Sequence, residues 1–290
     1  MCRLIDDILD FLKANGFECT VQMRSGLDII CTKTPDRVVL PLVIAAKSPE
    51  EAQEQAELAS RIIEELPHRP IIITEDRWRK QPEMMRARVL AHLEVFDQVY
   101  ARNCEIKKID KATAAEFLAA NHSYGDSSNR YRYGLFLKRH TGHIAAEGSE
   151  TWKYPTGTLV AVATFSNARK WVKGAQTIRS YEWIRYASLP GLRISGGMGK
   201  LLKAFIEEVK PDDIMSYADL EWSEGAVYEQ LGFTLEGKKD PVLFGVDSEW
   251  NRSPVKPGIT DPDALAGQTG NLFYMNFGSN KYRLKLTDYE

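Results

Sequence analysis

LRISGGMGKLLKAFIEE, Leu192 to Glu208, is the stretch on which the reading of the fold turns. Gly196, Gly197 and Gly199 stand before an amphipathic run with helical spacing, and the strand-like YEWIRYAS (Tyr181 to Ser188) precedes them. A strand that enters a glycine turn and leaves as a helix brings unpaired N–H groups and the positive end of the helix dipole to one point. A phosphate or diphosphate is favoured there. Lys200 adds a cation. The same glycines also suit a plain tight connection between strand and helix. The predicted helix runs from Gly196 to Val209, followed by a strand over Ile214 to Ala218 and a short helix over Glu224 to Leu231, which Gly232 closes. Strands follow near Thr234 to Gly237 and Val242 to Val246.

Outward from this centre the pattern continues in both directions. A helix is predicted over Ile109 to Asn121, with strands over Tyr133 to Lys138 and Gly157 to Ser166. The segment Ser248 to Gly270, rich in Pro, Asp and Gly, reads as loop, and Asn271 to Lys285 as a strand pair. The first hundred residues form a separate series. Arg3 to Asn15 is helical, and Phe17 to Met23, Leu27 to Thr32 and Val38 to Ala45 are strand-like. PEEAQEQAELASRIIEEL, from Pro49, is a helix with proline and acids in its first turn. Pro70 to Thr74 is a buried strand, and a helix spans Gln81 to Phe96. The border falls near residues 98–105, so the expected domains are 1–100 and 101–290.

Composition narrows the function classes. The chain has 290 residues, of which 43% are hydrophobic and 10% aromatic, enough apolar material for two cores. The longest apolar run, Val38 to Ala46, has nine residues, against about 20 for a membrane helix. The start, MCRLIDDILDFL, carries acids where a signal peptide carries cations. Cys2, Cys19, Cys31 and Cys104 form no CxxC pair and do not cluster with the five histidines, so neither a metal site nor a disulfide framework is expected. These features predict a cytoplasmic protein with no membrane partner. Charge is uneven along the chain. Residues 1–100 carry a net −4, residues 101–203 a net +10 and residues 204–290 a net −8. Cations and aromatics interleave between Arg130 and Arg185: Tyr131, Tyr133, Trp152, Tyr154 and Trp171 stand among Arg132, Lys153, Arg169, Lys170 and Lys173. That composition suits nucleic acid, the phosphates of a nucleotide cofactor, or a core of alternating strands.

EWSEGAVYEQLGF, Glu221 to Phe233, together with the glycine turn, resembles the GNAT acetyltransferases, in which a short helix carries a tyrosine and closes with Leu-Gly-Phe. The resemblance implies a mixed-sheet α/β (α+β) domain that uses acetyl-CoA or another acyl-CoA. On it, Gly196, Gly197, Met198, Gly199 and Lys200 would hold the cofactor's diphosphate, with Ser223 beside them. Tyr228 would act as general acid, and Arg185, Glu182 and Trp222 would face the acceptor. Two positions depart from the pattern. Ile194 stands where a basic residue or glutamine usually opens the loop, and Ser223 replaces an asparagine. ITEDRW (Ile73 to Trp78), YARNCE (Tyr100 to Glu105) and FLAANHSYG (Phe117 to Gly125) resemble a phage and mobile-element family. Its members join a restriction-endonuclease-like αβββαβα front half to a GNAT-like back half. SYAD (Ser216 to Asp219) is also similar to the phage Mom proteins, which modify adenine in DNA. The alternative implied is a DNA-binding, endonuclease-like protein without acyltransfer.

Four further expectations come from the residues themselves. A metal-dependent nuclease of that front fold needs an acid on the second strand and acid-x-lysine on the third. Asp28 and Lys47 suit those places, but Ala45 stands where the second acid belongs, leaving Glu51 or Glu54 as replacements. His122, after a helix and before Ser-Tyr-Gly, is a candidate base or a loop cap. Asp219, at a strand end, is a candidate catalytic carboxylate or a cap, and Arg185 either meets a substrate anion or pairs with Glu182.

Overall fold

The computed structural model describes residues 3–146, 149–174, 176–255 and 272–289, with the backbone alone at 143–146, 149–152 and 173. In chain order the elements begin α1 (Arg3–Ala14), β1 (Cys19–Arg24), β2 (Leu27–Lys33), β3 (Asp36–Leu42), α2 (Pro49–Glu65), β4 (Ile71–Thr74), α3 (Glu75–Lys80) and α4 (Pro82–His92). There follow β5 (Asp97–Tyr100), β6 (Cys104–Lys108), α5 (Lys111–Asn121), β7 (Tyr131–Leu137), β8 (Thr141–Ala146), β9 (Ser149–Tyr154), β10 (Leu159–Phe165) and β11 (Arg169–Lys173). The chain continues with β12 (Gln176–Ser188), β13 (Leu192–Ser195), α6 (Gly197–Val209), β14 (Asp213–Asp219), α7 (Ala226–Gln230) and β15 (Thr234–Lys239). The last strands are β16 (Leu243–Val246), β17 (Arg252–Pro254), β18 (Leu272–Met275) and β19 (Ser279–Lys285). The chain is mixed α/β with mixed sheets. None of the described helices is long and apolar enough to cross a membrane.

These elements form two compact units, and neither is continuous in sequence. The first comprises residues 1–94, 218–224 and 238–280, and the second 95–217, 225–237 and 281–290. The expectation of two consecutive domains has no place for segments 218–224 and 238–280, which return to the first unit.

In the first unit the sheet order is β1-β2-β3-β4, with the last pair parallel. Alternation along each strand sends Ile30, Val39, Ile71 and Ile73 to one face, against Leu4, Ile8 and Leu12 of α1 and Met85 and Val89 of α4. Ile29, Leu40, Leu42 and Ile72 take the other face, against Ala59 and Ile62 of α2 and Phe244, Val246 and Tyr274 of the returning strands. At β4 and the second half of β3 both faces are thereby buried, which is why those stretches read as continuous apolar runs. Ser48 caps α2, its side chain accepting from the Glu51 N–H at 3.2 Å, and Pro49 takes the first helical position. The returning segment forms the antiparallel sheet β17-β16-β18. Helix α3 was not expected. Its residues Glu75, Asp76, Arg77 and Trp78 are all buried, so it shows no alternation of apolar and polar positions.

The second unit is built on a sheet in the order β15-β19-β14-β12-β10-β7-β6, with β11 folded onto β12 as a hairpin. Strand β12 is antiparallel to β10 and parallel to β14, with α6 as the crossover. Phe205 of α6 stacks on Phe165 of β10 at 3.9 Å between ring centres, surrounded edge-on by Tyr131, Tyr133 and Tyr181. A parallel pair of short strands, β13 with β5, seats the start of α6. The expected loop from Ser248 falls largely at 256–271, and with Asn271 that part lies outside the described residues.

Candidate active site

The glycine turn forms as the sequence predicts, and the structure shows which glycine does what. Gly196 caps α6 at φ 76°, a backbone conformation that disfavours other residues. Gly197 and Gly199 lack side chains for packing reasons. A Cβ on Gly197 would lie 2.9 Å from the Ile194 side chain, and one on Gly199 would lie 3.1 Å from Leu231. A side chain at 197 would therefore strike Ile194. The glycines let α6 sit close to its neighbours. The first N–H groups of an α-helix have no carbonyl of their own helix to bond, and here they belong to Gly197, Met198 and Gly199. Lys200 is fixed by the carbonyls of Ala101 (2.9 Å) and Cys104, so the backbone is the principal donor of the turn.

The decisive geometry lies between β12 and β14. Their parallel ladder covers Ser180, Tyr181 and Glu182 opposite Asp213, Ile214 and Met215, and there it stops, although β12 continues to Ser188 and β14 to Asp219. A register shift between β10 and β12 occurs at the same height, where Thr164 faces Arg185 and Phe165 faces Trp183. Past the last pair a side chain takes over the bonding. The Ser216 Oγ lies 2.9 Å from the Trp183 carbonyl oxygen and 2.8 Å from the Tyr228 hydroxyl. Serine has one proton for these two partners. With the carbonyl holding it, the phenol donates to the serine oxygen; once the phenol loses its proton, the serine hydroxyl can turn to it. Tyr228 is half-buried between Trp183, Phe233 and Tyr282. Burial pushes its phenol above the ordinary tyrosine range, partly offset by Ser216, so it stays protonated at neutral pH.

The other expected residues are distributed more widely. His122 ends α5, and its Nδ1 accepts from the Tyr124 N–H at 3.1 Å, as a loop cap would. Arg185 donates through Nε to the Gly125 carbonyl at 3.1 Å and through a terminal nitrogen to the Ile184 carbonyl at 3.0 Å, not to Glu182. Burial lowers the Arg185 pKa, with the nearby Glu182 charge partly compensating. Asp219, Trp222 and Ser223 belong to the first unit. There Asp219 organises a turn, its side chain accepting from the Glu221 N–H and its carbonyl from the N–H groups of Trp222 and Ser223. Trp222 lies under the Arg88 guanidinium at 4.3 Å. Of the basic aromatic stretch, Tyr133 and Tyr154 are core, while Trp171 is 53% exposed beside the exposed Arg169 and Lys170. The side chains of Trp152 and Lys173 lie outside the described residues.

In the first unit, Asp28 of β2 lines an apolar pocket of about 200 Å³ whose other walls include Val43, Ala45, Ala52, Gln55 and Ala56. Glu51 is turned away, accepting from the Lys47 N–H at 2.8 Å, and Glu54 is exposed. Among the described residues no group of three or more His, Cys, Asp and Glu is arranged to hold a metal ion. A lone carboxylate in apolar surroundings is a poor Mg²⁺ site. Purified protein should therefore leave supercoiled plasmid intact in Mg²⁺ or Mn²⁺ on an agarose gel. Cleavage that disappears in Asp28→Ala would overturn this.

Sequence reasoning missed a buried charge network in the same unit. The Arg252 guanidinium reaches both oxygens of Glu221 (3.0 and 2.9 Å), Asp76 and the Thr74 hydroxyl (2.8 Å). Arg77 lies 3.4 Å from Glu221, and the Tyr274 hydroxyl donates to it. Arg88 donates to the carbonyls of Ile72, Glu221 (2.8 Å) and Trp222 (3.1 Å). The acids and arginines of ITEDRW were visible as a motif, but their partners lie about 140 to 180 residues away.

No family model and no curated protein sequence matches the chain. Solved structures similar to it include a Bacillus subtilis acetyltransferase in complex with CoA, at 12% identity, with 63% of this chain and 99% of that one covered and a TM-score of 0.35. A GNAT-family acetyltransferase from Bacillus anthracis is similar at 15% identity, covering 63% and 95%, with a TM-score of 0.31. A KacTA–DNA complex is similar at 18% identity, covering 59% and 92%, with a TM-score of 0.28.

Proposed function

We propose that the second unit is an acyl-CoA-dependent N-acyltransferase of the GNAT type. The observation that carries this reading is the parting of β12 and β14 beyond Glu182 and Met215, with the Tyr228 hydroxyl held at Ser216 inside the parted stretch. A pantetheine-like chain carries amides along its length, and the strand edges beyond the last ladder pair offer backbone groups to match them. At the glycine turn, the N–H groups of Gly197, Met198 and Gly199 at the start of α6 suit a diphosphate. The donor set fits the cofactor.

Bound acyl-CoA supplies a thioester whose acyl carbon passes to an amine nitrogen as the carbon–sulfur bond breaks. The leaving sulfur takes up one proton and the amine gives one to solvent. In this reading Tyr228 Oη supplies the first, and Ser216 turns its hydroxyl to the phenolate that remains. Because burial holds the phenol protonated, Tyr228 is an acid ready at neutral pH.

Calorimetric titration of the full chain should show one acetyl-CoA bound. Gly197→Val should abolish that binding, because the new side chain meets Ile194 and displaces the start of α6. No heat with either CoA or acetyl-CoA would remove the reading.

A further inference from the structure

A cleft of about 430 Å³ lies in the second unit over β11, β12, β14 and β19, and nothing above uses it. We infer that it holds the acceptor of the proposed transfer, and that this acceptor is an amine-bearing molecule with an aromatic ring and an anionic group. The inference rests on the acyltransferase reading and adds the class of substrate.

Position comes first. Glu182 and Met215, the last ladder pair before β12 and β14 part, both line the cleft, which therefore reaches the point where the strands separate. Charge comes second. Of the three lining acids, Asp213 is taken up by Ser180, Tyr289 and Arg283 (2.8 Å), and Glu236 by Arg283 (2.7 Å) and Lys281 (2.6 Å). The Glu182 carboxylate has no hydrogen-bond or ion-pair partner among the described residues, and Arg185, which feels its charge, is held by backbone carbonyls. An unneutralised carboxylate at the fork selects an amine N–H. Arg169 makes no ion pair among the described residues, and neither does the Lys285 ammonium, which donates to the Tyr289 carbonyl at 3.3 Å and lies 4.6 Å from the Tyr289 ring centre; both charges are left to meet an anion. Surface comes third. Trp171 is 53% exposed on the hairpin strand β11 although the second unit has an aromatic core for such a side chain. An indole kept at the wall of a polar cleft offers a stacking platform for a planar ring.

The test is calorimetry on the full chain without CoA, using adenosine 5′-monophosphate and L-phenylalanine as ring-bearing anionic amines and ethylamine as the bare amine. One or both of the first two should bind at least tenfold more tightly than ethylamine, and which of them binds identifies a nucleotide or an amino-acid source. Trp171→Ala and Glu182→Gln should each weaken that binding on the order of tenfold. Thermal unfolding of both variants should match the parent chain, since neither side chain belongs to the core. Failure of both probes to bind, or binding unchanged in both variants, overturns the inference. Because acetyl-CoA is titrated separately, an empty cleft with CoA binding intact counts against the inference alone, and loss of CoA binding against the function itself.

Discussion

Glu221→Ala is expected to destabilise the first unit by about 3–5 kcal/mol, the usual cost of removing one partner from a buried ion pair. Glu221, Asp76 and Arg252 are only 3%, 3% and 8% exposed at their side chains. Truncating Glu221 strips one terminal nitrogen of Arg252 of both its carboxylate oxygens, leaving Asp76 as its remaining acid, and removes the acceptor shared by Arg77 and the Tyr274 hydroxyl. The arginines cannot shed their charge, so the penalty cannot be avoided by deprotonation. Urea unfolding followed through Trp78, which packs in this unit's core, would measure the shift; a change below about 1 kcal/mol would show that the network contributes little. The pH dependence provides a second check. Burial alone would raise the Glu221 pKa, but Arg252 and Arg77 outweigh it and hold the carboxyl down to about 2. A depressed folded-state pKa gives stability that is complete above the unfolded value of roughly 4.3 and is lost as pH falls towards 2. Glu221→Gln should flatten that acid limb.

Tyr228→Phe should leave acetyl-CoA binding nearly unchanged and reduce turnover about a hundredfold or more, the range of a lost general acid. The phenyl ring keeps the packing against Trp183, Phe233 and Tyr282, so only the proton and the bond to Ser216 disappear. Release of free thiol from acetyl-CoA in the presence of an accepted amine would report the loss. Burial raises the Tyr228 pKa above the usual 10, so turnover by the parent chain should show no decline from this group below about pH 9. Equal turnover in the two proteins would assign the proton to another donor. Ser216→Ala tests the positioning role. It should move the alkaline limb of the rate profile upward, since the hydroxyl that stabilises the phenolate is gone.

Where sequence and structure agree, the interaction involved is local. Apolar spacing in Arg3 to Asn15, the start of α2 at Pro49 and the glycine turn that opens α6 are each decided within a few residues, and each formed as read, with Gly196 as the cap of α6. Tyr228 was reached through a resemblance, and its hydrogen-bond partner became visible only when Ser216, itself bonded to Trp183, was brought to it from another element. Asp219 was singled out because it ends a strand, and Trp222 through the resemblance. Their contacts belong instead to the first unit, where Trp222 serves Arg88 and the core.

Short-range physics therefore settled most helices and strands and the glycine turn from the sequence alone, because backbone capping and period are encoded by neighbours; the fully buried α3 escaped it. Tertiary structure decided the rest. It returned 218–224 and 238–280 to the first unit, joined Asp76, Glu221 and Arg252 across about 175 residues, and left Glu182 and Trp171 at one cleft. A buried charge is stable only beside its counter-charge, and no local pattern records which distant residue that will be.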